Sequence, residues 1–315
     1  MDINTLIIIP GGAGLVGHNL IFRLKEKGYS NILVLDKHRR NLEILKTIHP
    51  FVRAEYADLA EPGEWQQHFY GTSKDVVVVM LQAQIGGNDP QAFIRNNVDS
   101  TRHILDEMKK NKMPYLVHVS SSVIESVAND FYTNSKKDQE QLVLDSNIKC
   151  AILRPTLMFG WFDRKHLGWL SRFMKRIPVF PIPGDGCYLR QPMFVGDFCD
   201  IIVSSLENRI EGIYNISGHE KVNYIDIIRS IKKAVRSHTL IIKIPYWLFH
   251  ALLFIWGIFD KNPPFTTQQL EALVAHDVFE VIDWPDIFHI QATSFENAVI
   301  KTFSDPTYSH IELEF

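Results

Sequence analysis

The stretch Ile9-Pro10-Gly11-Gly12-Ala13-Gly14-Leu15-Val16-Gly17 lies between a short apolar run and a longer helical pattern. The run from Leu6 predicts a β-strand, and the residues after Gly14 predict a helix. At such a turn the first glycine permits the tight bend, the second lets backbone approach a pyrophosphate, and the third allows close helix packing. The helix N-terminus offers free N–H groups to phosphates. We therefore predict that Gly11, Gly14, Leu15, Val16 and Gly17 bind a dinucleotide.

Acidic residues follow the second and third apolar runs. Asp36 lies 19 residues beyond Gly17, where a carboxylate can accept hydrogen bonds from both ribose hydroxyls and repel a 2′-phosphate. This position favours NAD over NADP as the cofactor. The basic residues 37–40 leave NADP as the alternative, because they could hold a 2′-phosphate. Asp58 and Leu59 are positioned to border the adenine, although an Asp that opens a loop is commonly only a cap.

The first half of the chain alternates apolar runs with helical patterns, which predicts an α/β fold with a doubly wound parallel sheet. The predicted strands are Leu6 to Ile9, Ile32 to Leu35, Val52 to Tyr56, Val76 to Leu81, Leu116 to Val119 and Cys150 to Leu153. The predicted helices between them are Leu15 to Lys27, Leu42 to Ile48, Trp65 to Tyr70, Ala92 to Lys110 and Thr133 to Asp145.

We expect a nucleotide-binding domain of the Rossmann type over residues 1–155, completed by segments near 192–217. Residues 156–315 would form a smaller, mostly helical and discontinuous substrate region. Its loops are rich in Gly and Pro, and such loops often bind ligands. Its predicted helices are Gly196 to Glu207, Tyr224 to Val235, Tyr246 to Phe259, Thr267 to Leu273 and Ser294 to Lys301.

Tyr132 and Lys136 follow a run of three serines at residues 120–122. Spaced i and i+4 on a helix, the phenol and the ammonium lie on one face, so the charge can lower a phenol pKa that is about 10 unperturbed. A tyrosine tuned in this way can exchange protons near neutral pH. The pattern alone also describes a half-buried tyrosine beside a solvated lysine. Its presence in the same domain as the glycine turn favours a catalytic pair.

The amino-acid composition restricts the classes of function that this chain could have. The chain has 315 residues, 46% hydrophobic and 22% charged, and a net charge of -3, as in an ordinary globular protein. This balance gives no electrostatic case for binding nucleic acid, and it favours a small-molecule substrate. Cys150, Cys187 and Cys199 have neither metal-type spacing nor an even number, which suggests a reducing cytoplasm and no metal site. No signal peptide pattern precedes the first strand.

Ile244 to Phe259 is almost wholly apolar. At about 16 residues it is shorter than the roughly 20 residues that a bilayer span requires. We interpret it as a buried helix of the second region. The alternatives are a monotopic membrane contact and a helix that binds a partner.

Taken together, these residues resemble the extended short-chain dehydrogenase/reductase superfamily, in particular its NAD-dependent epimerase/dehydratase branch. The likeness covers nearly the whole chain. The motifs that carry it are the glycine turn, Asn97 in N-N-V-D-S-T-R-H-I-L, the serine run, Tyr132 with Ser135 and Lys136, Leu153-Arg154-Pro155-Thr156, Gly184-Asp185-Gly186 and Pro192-Met193-Phe194-Val195-Gly196-Asp197.

The resemblance implies roles for individual residues. Tyr132 would be the general acid/base that exchanges a proton with a substrate hydroxyl or carbonyl, while a hydride passes to or from the nicotinamide. Lys136 would hold the nicotinamide ribose and lower the pKa of the tyrosine. Ser121 would hydrogen-bond the reacting oxygen, with Ser122 as the next choice. Asn97 would support the active-site helix and the cofactor site, and Pro155 would lie behind the nicotinamide ring.

The chain departs from the family pattern beside the tyrosine. Val123-Ile124-Glu125 replaces the usual V-Y-G, and only nine residues separate Ser122 from Tyr132, which predicts a shortened substrate-covering loop. Leu157 occupies a position where many sugar-nucleotide epimerases have an asparagine. Arg190 matches an arginine that often binds the substrate diphosphate, so the resemblance implies a nucleotide sugar as substrate. An exposed loop charge is the alternative for Arg190.

Three functions therefore stay open. The first is an NAD-dependent epimerase, dehydratase or reductase, in which Glu125 and Asp163 are weaker candidates for extra acid/base groups. The second is a redox-silent NAD(P)H-binding accessory or assembly protein, because Pro263-Pro264-Phe265-Thr266 and the residues after it look like the accessory subunit of respiratory complex I. The third is a steroid or lipid-alcohol dehydrogenase. By the same resemblance, a homodimer would form through the helices at 92–110 and 133–145.

Overall fold

A parallel sheet organises the first part of the molecule. The computed structural model describes residues 1–70, 76–126, 129–260, 266–275 and 278–314. Six strands were expected, and a seventh at Gly212–Ile216 extends the sheet beyond the sixth. The first six strands are β1 Leu6–Pro10, β2 Ile32–Asp36, β3 Arg53–Tyr56, β4 Val76–Met80, β5 Leu116–Val119 and β6 Cys150–Pro155. All neighbours are parallel, so the predicted doubly wound α/β class is confirmed.

The strand order is Gly212–Ile216, β6, β5, β4, β1, β2 and β3. Ile8 pairs with Leu33 of β2 on one side and with Val78 of β4 on the other. The chain reverses its direction of winding between β1 and β4, and ligands of open α/β sheets bind beyond the carboxyl ends of the strands at such a point. The sheet order therefore locates the expected site before any side chain is considered.

Helices cover both faces of the sheet and build the second region. They are α1 Leu15–Glu26, α2 Arg39–Ile48, α3 Pro90–Phe93, α4 Ser100–Lys110, α5 Phe131–Asp145, α6 His166–Met174, α7 Val195–Asn208, α8 Tyr224–Ala234, α9 Tyr246–Phe259, α10 Thr267–Val274, α11 Trp284–Phe288 and α12 Phe295–Phe303. Short 3-10 turns occur at Glu64–Phe69 and Ser122–Glu125, and a π-helical turn at Ile94–Asp99 joins α3 to α4.

Alternation along the strands divides the core between the two faces of the sheet. Ile7 and Ile9 of β1 belong to a buried cluster with α1, α7 and α11, whereas Ile8 belongs to a cluster with α4 and α5. Residues buried on both faces explain why the central strands are apolar throughout rather than alternating. The structure thus associates α7, α11 and the Gly212–Ile216 strand with the first domain.

A third cluster forms the core of the second region. It brings α6, α8 and α12 together around residues such as Met174, Ile228 and Val299. Three short strand pairs complete this region, namely Met158–Phe159 with Met193–Phe194, Leu189–Arg190 with Val222–Asn223, and Val179–Pro183 with Leu240–Ile244. It lies beside the carboxyl edge of the sheet, because only two residues separate the Met158–Phe159 strand from the end of β6.

The interpretation of 244–259 as a buried helix is wrong. α9 forms at Tyr246–Phe259, but none of its residues is buried. Its apolar composition is typical of an interior helix. In the structure, however, α9 follows the Leu240–Ile244 strand onto the surface, where it contacts α10. Among the described residues, the structure has no helix with the length and apolar character needed to cross a membrane. The residues 263–265 that resemble the complex I subunit lie outside the described residues.

The glycine turn provides a matched pair of substitutions. A Cβ atom on Gly17 would lie 2.0 Å from the carbonyl oxygen of Gly12, whereas a Cβ on Gly14 would meet no atom within 4 Å. We expect Gly17→Ala to lower the free energy of unfolding by about 3 kcal/mol through overpacking. Gly14→Ala should cost less than about 1 kcal/mol, since it only exchanges one residue for another at the start of α1. Chemical denaturation of both variants measures the difference, and equal losses would contradict the packing role of Gly17.

Candidate active site

A cavity of about 600 Å³ lies at the carboxyl edge of the sheet, between the first domain and the second region. Most of the residues predicted from the sequence line it. These are Gly11, Gly14, Leu15, Val16, Gly17, Asp36, Asp58, Leu59, Ser121, Ser122, Tyr132, Lys136 and Pro155. Residues separated by more than a hundred positions in the chain therefore face one another across a single space.

The glycine turn forms one wall of this cavity. Gly11 has a φ of +74°, and a Cβ on it would lie 2.3 Å from the backbone nitrogen of Gln82, so the turn needs glycine there. Gly14 is the residue before α1 and has no side chain to cap the helix. The first N–H groups of α1, beginning at Leu15, consequently point toward the cavity with the positive end of the helix dipole. Such a wall suits a phosphate group.

The Asp36 carboxylate is fixed by two backbone groups. One oxygen accepts a hydrogen bond from the Ala13 N–H at 3.0 Å, and the other accepts one from the His38 N–H at 2.9 Å. Each carboxylate oxygen can accept more than one hydrogen bond, so both retain capacity for a ligand hydroxyl. The same contacts tie the end of β2 to the glycine turn.

The basic residues after Asp36 have partners within the protein. The Lys37 Nζ donates to the Asn96 side chain at 2.6 Å, and partial burial lowers the pKa of Lys37. The Arg39 guanidinium stacks 3.9 Å from the centre of the Tyr56 ring. Arg40 forms an ion pair with Glu314. These contacts leave the cluster less suited to holding a 2′-phosphate than the sequence alone suggested.

The other end of this part of the cavity is bounded by Asp58 and Leu59. The Asp58 carboxylate pairs with Arg95 at 2.9 Å and accepts a hydrogen bond from the Ala60 N–H at 3.2 Å. Leu59 is buried and presents an apolar surface. The C-terminal segment also reaches the cavity, because the Asn41 amide makes two 2.8 Å hydrogen bonds to the backbone of Glu314.

Ser121, Tyr132 and Lys136 lie at the opposite end of the cavity. The Ser121 hydroxyl hydrogen-bonds the phenol oxygen of Tyr132, which favours the phenolate, but burial is the larger effect and raises the pKa of Tyr132. The expected lowering of the Tyr132 pKa by Lys136 is therefore wrong for this structure, because the loss of hydration outweighs the hydrogen bond from Ser121 and Lys136 is not among the groups that shift this pKa. The phenol is the dominant form of Tyr132 at neutral pH.

Lys136 is itself fully buried. Its Nζ donates to the Val119 carbonyl at 3.2 Å and to the Gln139 side chain at 2.5 Å. Burial lowers the pKa of Lys136 to about 7, and the nearby Glu140 carboxylate opposes this effect. An ammonium group has three donors, so one remains for a ligand in the cavity.

The Glu140 carboxylate joins a network behind Lys136. It accepts a hydrogen bond from the Ser120 hydroxyl at 2.5 Å and from the Arg154 guanidinium at 3.2 Å. Arg154 also pairs with Glu125 at 3.1 Å. Ser120 and Glu125 therefore belong to the network that supports Lys136 from behind. Glu125 does not line the cavity. This network keeps a negative charge near the buried ammonium, which reduces the cost of its burial.

Asp163 lies at the edge of the cavity and is almost fully buried. Its side chain accepts a hydrogen bond from the Gly168 N–H at 2.8 Å in the first turn of α6. Burial raises the pKa of Asp163 to about 7, and the backbone hydrogen bonds and Arg172 oppose that shift. The helix contacts give Asp163 a structural role at the N-terminus of α6.

Asn97 is fully buried and does not line the cavity. Its amide donates to Ser135 of α5 at 2.9 Å and exchanges hydrogen bonds with the backbone of Gln84 at 2.6 and 3.2 Å. The π-helical turn at Ile94–Asp99 provides the local widening that orients this side chain inward. Asn97 accordingly connects the loop after β4 to the tyrosine helix, rather than facing the cofactor site.

The model of the NAD-dependent epimerase/dehydratase family matches residues 7–217 of this sequence. The chain belongs to this family. A putative UDP-arabinose 4-epimerase of Arabidopsis thaliana is 24% identical over an alignment of 281 residues, which covers 73% of this chain and only 64% of that relative's length. A decarboxylating sterol-4-alpha-carboxylate 3-dehydrogenase of Saccharomyces cerevisiae is 23% identical over 309 residues, covering 86% of this chain and 88% of the relative.

The fold of the family extends through the second region as well. A crystal structure of UDP-glucuronic acid 4-epimerase from Bacillus cereus in complex with NAD superposes with a TM-score of 0.72 at 18% identity. The superposition covers 94% of this chain and 97% of that one. The likeness in fold therefore includes the helices and short strand pairs beyond residue 217.

Like Asn97, Arg190 is a predicted site residue that does not line the cavity. Its guanidinium donates to the backbone carbonyls of Leu273 and Ala275 at the end of α10, and it does not line the cavity. The carbonyl groups at a helix C-terminus carry partial negative charge and attract a cation. Arg190 thus fastens α10 to the second region, and the structure does not bring it to the cavity where a substrate diphosphate is expected to bind.

Several lining residues escaped the sequence analysis. The side-chain Oε1 of Gln82 and the hydroxyl of Thr156 are buried polar atoms that have no hydrogen-bond partner among the described residues. Both residues line the cavity, so a polar ligand could satisfy them. Arg164, Lys165 and His166 also line it. Thr156 directly follows Pro155 in a motif already noted, whereas no local pattern distinguishes Gln82.

Lys136→Met should be most stable relative to the parent protein at low pH, because it removes the penalty of burying an ammonium group. The pKa of Lys136 is about 7 in the folded state and near its usual 10.5 when unfolded. The penalty for burying the lysine is therefore complete below pH 7 and fades as the pH rises to 10.5. Denaturant titrations from pH 6 to 10 should show the advantage of the variant shrinking.

Lys137→Met is the matched control for this measurement, since Lys137 is the exposed neighbour on the same helix. Its effect should be small and independent of pH over this range. A constant difference between Lys136→Met and the parent protein at every pH would contradict the lowered pKa of Lys136.

Proposed function

We propose that this protein is an NAD-dependent oxidoreductase of the epimerase/dehydratase type, acting on a hydroxyl or keto group of a sugar nucleotide. The observation that carries the proposal is the shared cavity, in which the glycine turn and Asp36 face the Ser121, Tyr132 and Lys136 side chains. A binding protein without catalysis has no need to keep these three groups together in such a cavity.

The cavity suits NAD as the cofactor. The N-terminus of α1 would bind the pyrophosphate and Asp36 the adenosine ribose, while the partners of Lys37, Arg39 and Arg40 disfavour a 2′-phosphate. Lys136 has a donor for the second ribose, and Pro155 would support the nicotinamide ring. The unsatisfied Gln82 and Thr156 oxygens are acceptors for further ligand donors.

Tyr132 would exchange the proton of the reaction. When bound, the nicotinamide accepts or returns a hydride at its C4 position. In the oxidising direction the substrate hydroxyl gives its proton to the phenolate form of Tyr132, its carbon gives up the hydride, and a keto group results. Ser121 would hydrogen-bond the reacting oxygen. The ammonium of Lys136 would favour the phenolate more strongly once ligands exclude water from the cavity.

The substrate class rests on the family and on the cavity beyond Tyr132. UDP-sugar 4-epimerases occur among both the relatives and the structural neighbours. Ser122 and the basic residues Arg164 and Lys165 line the cavity, where they could contact a sugar and its diphosphate. The cytoplasm is part of this proposal, since the cysteines are free thiols.

A steroid or lipid-alcohol dehydrogenase is the second candidate. The exposed apolar surface of α9 favours it, because such a surface could approach a substrate held in a membrane. The yeast sterol dehydrogenase also aligns over most of both chains. The same serine, tyrosine and lysine would serve either substrate.

Tyr132→Phe should reduce turnover by about 10²- to 10⁴-fold, because it removes the proton-exchanging group. The measurement mixes the protein and NAD with UDP-, GDP- and dTDP-sugars, and separately with a 3β-hydroxysterol, and follows products by chromatography and NADH at 340 nm. Calorimetry should show that NAD binding survives in the variant.

Tyr188→Phe is the control for this substitution. Tyr188 is buried outside the cavity, and its hydroxyl has no hydrogen-bond partner among the described residues. Removing the Tyr188 hydroxyl should leave turnover unchanged. Absence of turnover by the parent protein with every substrate would sink the enzyme proposal, as would equal rates for Tyr132→Phe and Tyr188→Phe.

We also propose a homodimer formed by α4, α5 and the adjoining π-helical turn. Ile94, Phe131 and Leu144 are large apolar side chains left exposed on this face. A second copy would cover them in a four-helix contact. Sedimentation equilibrium should give twice the chain mass for the parent and a single chain for Leu144→Glu. A monomeric parent protein at micromolar concentration would contradict the dimer.

A further inference from the structure

The α9 helix has no polar face. Its residues from Tyr246 to Phe259 include no Asp, Glu, Lys or Arg, and none is buried. Trp247, Phe254, Ile258 and Phe259 are 70%, 61%, 66% and 85% exposed. A contiguous apolar surface of this kind marks an interaction site in a folded protein. At 14 residues α9 is about 21 Å long, so it could lie along a membrane surface but not cross the hydrocarbon core.

A basic groove lies on the element that precedes α9. Arg229, Lys232 and Lys233 have the i, i+3, i+4 spacing that puts them on one face of α8, and Arg236 lies two residues beyond the end of this helix. The opposite face, with Ile228 and Ile231, is buried in the core of the second region. The α8 side chains combine with His238 and Lys243 to line an open groove of about 690 Å³.

Much of the positive charge in this groove is uncompensated. Arg229 pairs with Asp226 at 3.1 Å and Lys233 with Glu296 at 2.7 Å. Lys232 and Arg236 form no ion pair within the described parts of the chain, whereas Lys243 interacts electrostatically with the Asp185 carboxylate. Favourable interaction with the α8 dipole accounts for basic residues in its last turn, but not for His238 and Lys243 on other elements.

The groove and the helix are continuous along the chain. Lys243 lies in the Leu240–Ile244 strand, and Pro245 then begins α9. Only two residues therefore separate a groove lysine from the first α9 residue, a distance of about 11 Å at most. Leu240 in the same strand is 59% exposed, which extends the apolar surface toward the groove. An apolar helix beside unpaired cations is the combination that anionic lipid surfaces attract.

We propose that α9 and the basic groove together form a monotopic docking site for an anionic membrane surface. α9 lies in the boundary between headgroups and acyl chains, and the groove holds acidic lipid headgroups. Neither feature belongs to the candidate active site, so the docking site adds to the proposed reaction with either substrate class. A second copy of this chain or a soluble protein would cover the apolar helix equally well, but neither explains the adjacent unpaired cations.

Vesicle co-sedimentation of the full chain tests this proposal. Vesicles contain either phosphatidylcholine alone or phosphatidylcholine with 30 mol% phosphatidylserine, at low and at high salt. We expect binding to the mixed vesicles at low salt, with much weaker binding to phosphatidylcholine alone or at high salt. Phe254→Glu with Ile258→Glu should weaken binding about 100-fold. Lys232→Glu with Arg236→Glu should weaken it by at least about 25-fold.

Lys46→Glu with Lys109→Glu is the charge-matched control, since both lysines are exposed on helices of the first domain. This double variant should bind vesicles like the parent. Circular dichroism and thermal unfolding establish that each variant is folded. Failure of the folded parent to bind either vesicle overturns the proposal. So does equal weakening by the groove and control variants. The parent protein could instead self-associate and fail to bind vesicles. If the α9 variant abolishes that self-association, a second copy of the chain, and not a membrane, covers α9.

Discussion

The close approach of α1 to the glycine turn is the contact on which the rest of the site depends. A Cβ on Gly17 would collide with the Gly12 carbonyl at 2.0 Å, so only glycine lets the helix start this close to the sheet. The contact aims the first N–H groups of α1 along the carboxyl edge. Asp36 then binds the Ala13 N–H and joins β2 to the same turn. The wall proposed to bind a phosphate and the carboxylate proposed to accept a ribose hydroxyl both depend on this one backbone constraint.

The first domain could be predicted from the sequence because its signals are local. Strands buried on both faces are continuously apolar, and the glycine spacing identifies the turn that opens α1. The Gly212–Ile216 strand was missed because it lies at the edge of the sheet, where Gly212, Ile213 and Asn215 are exposed and its composition is mixed. The exposure of α9 could not be predicted, because its sequence is uniformly apolar. Such a sequence is the same for a helix buried in the core and for a helix that is exposed on the surface.

Site residues could be predicted where the spacing of a motif fixes their place in the fold. They could not be predicted where packing between distant parts of the chain determines the position or the pKa of a side chain. Motif positions brought Ser121, Tyr132 and Lys136 to one cavity. Their pKa values depend on burial and on partners such as Glu140, whose position no spacing reveals, and so the direction for Tyr132 was wrong. Arg190 matched a motif but binds the end of α10, because the location of that helix is set by tertiary contacts.

Hydride transfer between nicotinamide and substrate is the central claim for this cavity. The most direct measurement mixes the protein with NADH carrying deuterium at nicotinamide C4 and a UDP-4-keto-hexose, and examines the sugar by mass spectrometry and NMR. The account predicts that one deuterium appears at the sugar C4 as the keto group becomes a hydroxyl, with the loss of NADH absorbance. Recovery of unlabelled keto-sugar and intact NADH, from a folded protein that binds both, would contradict it.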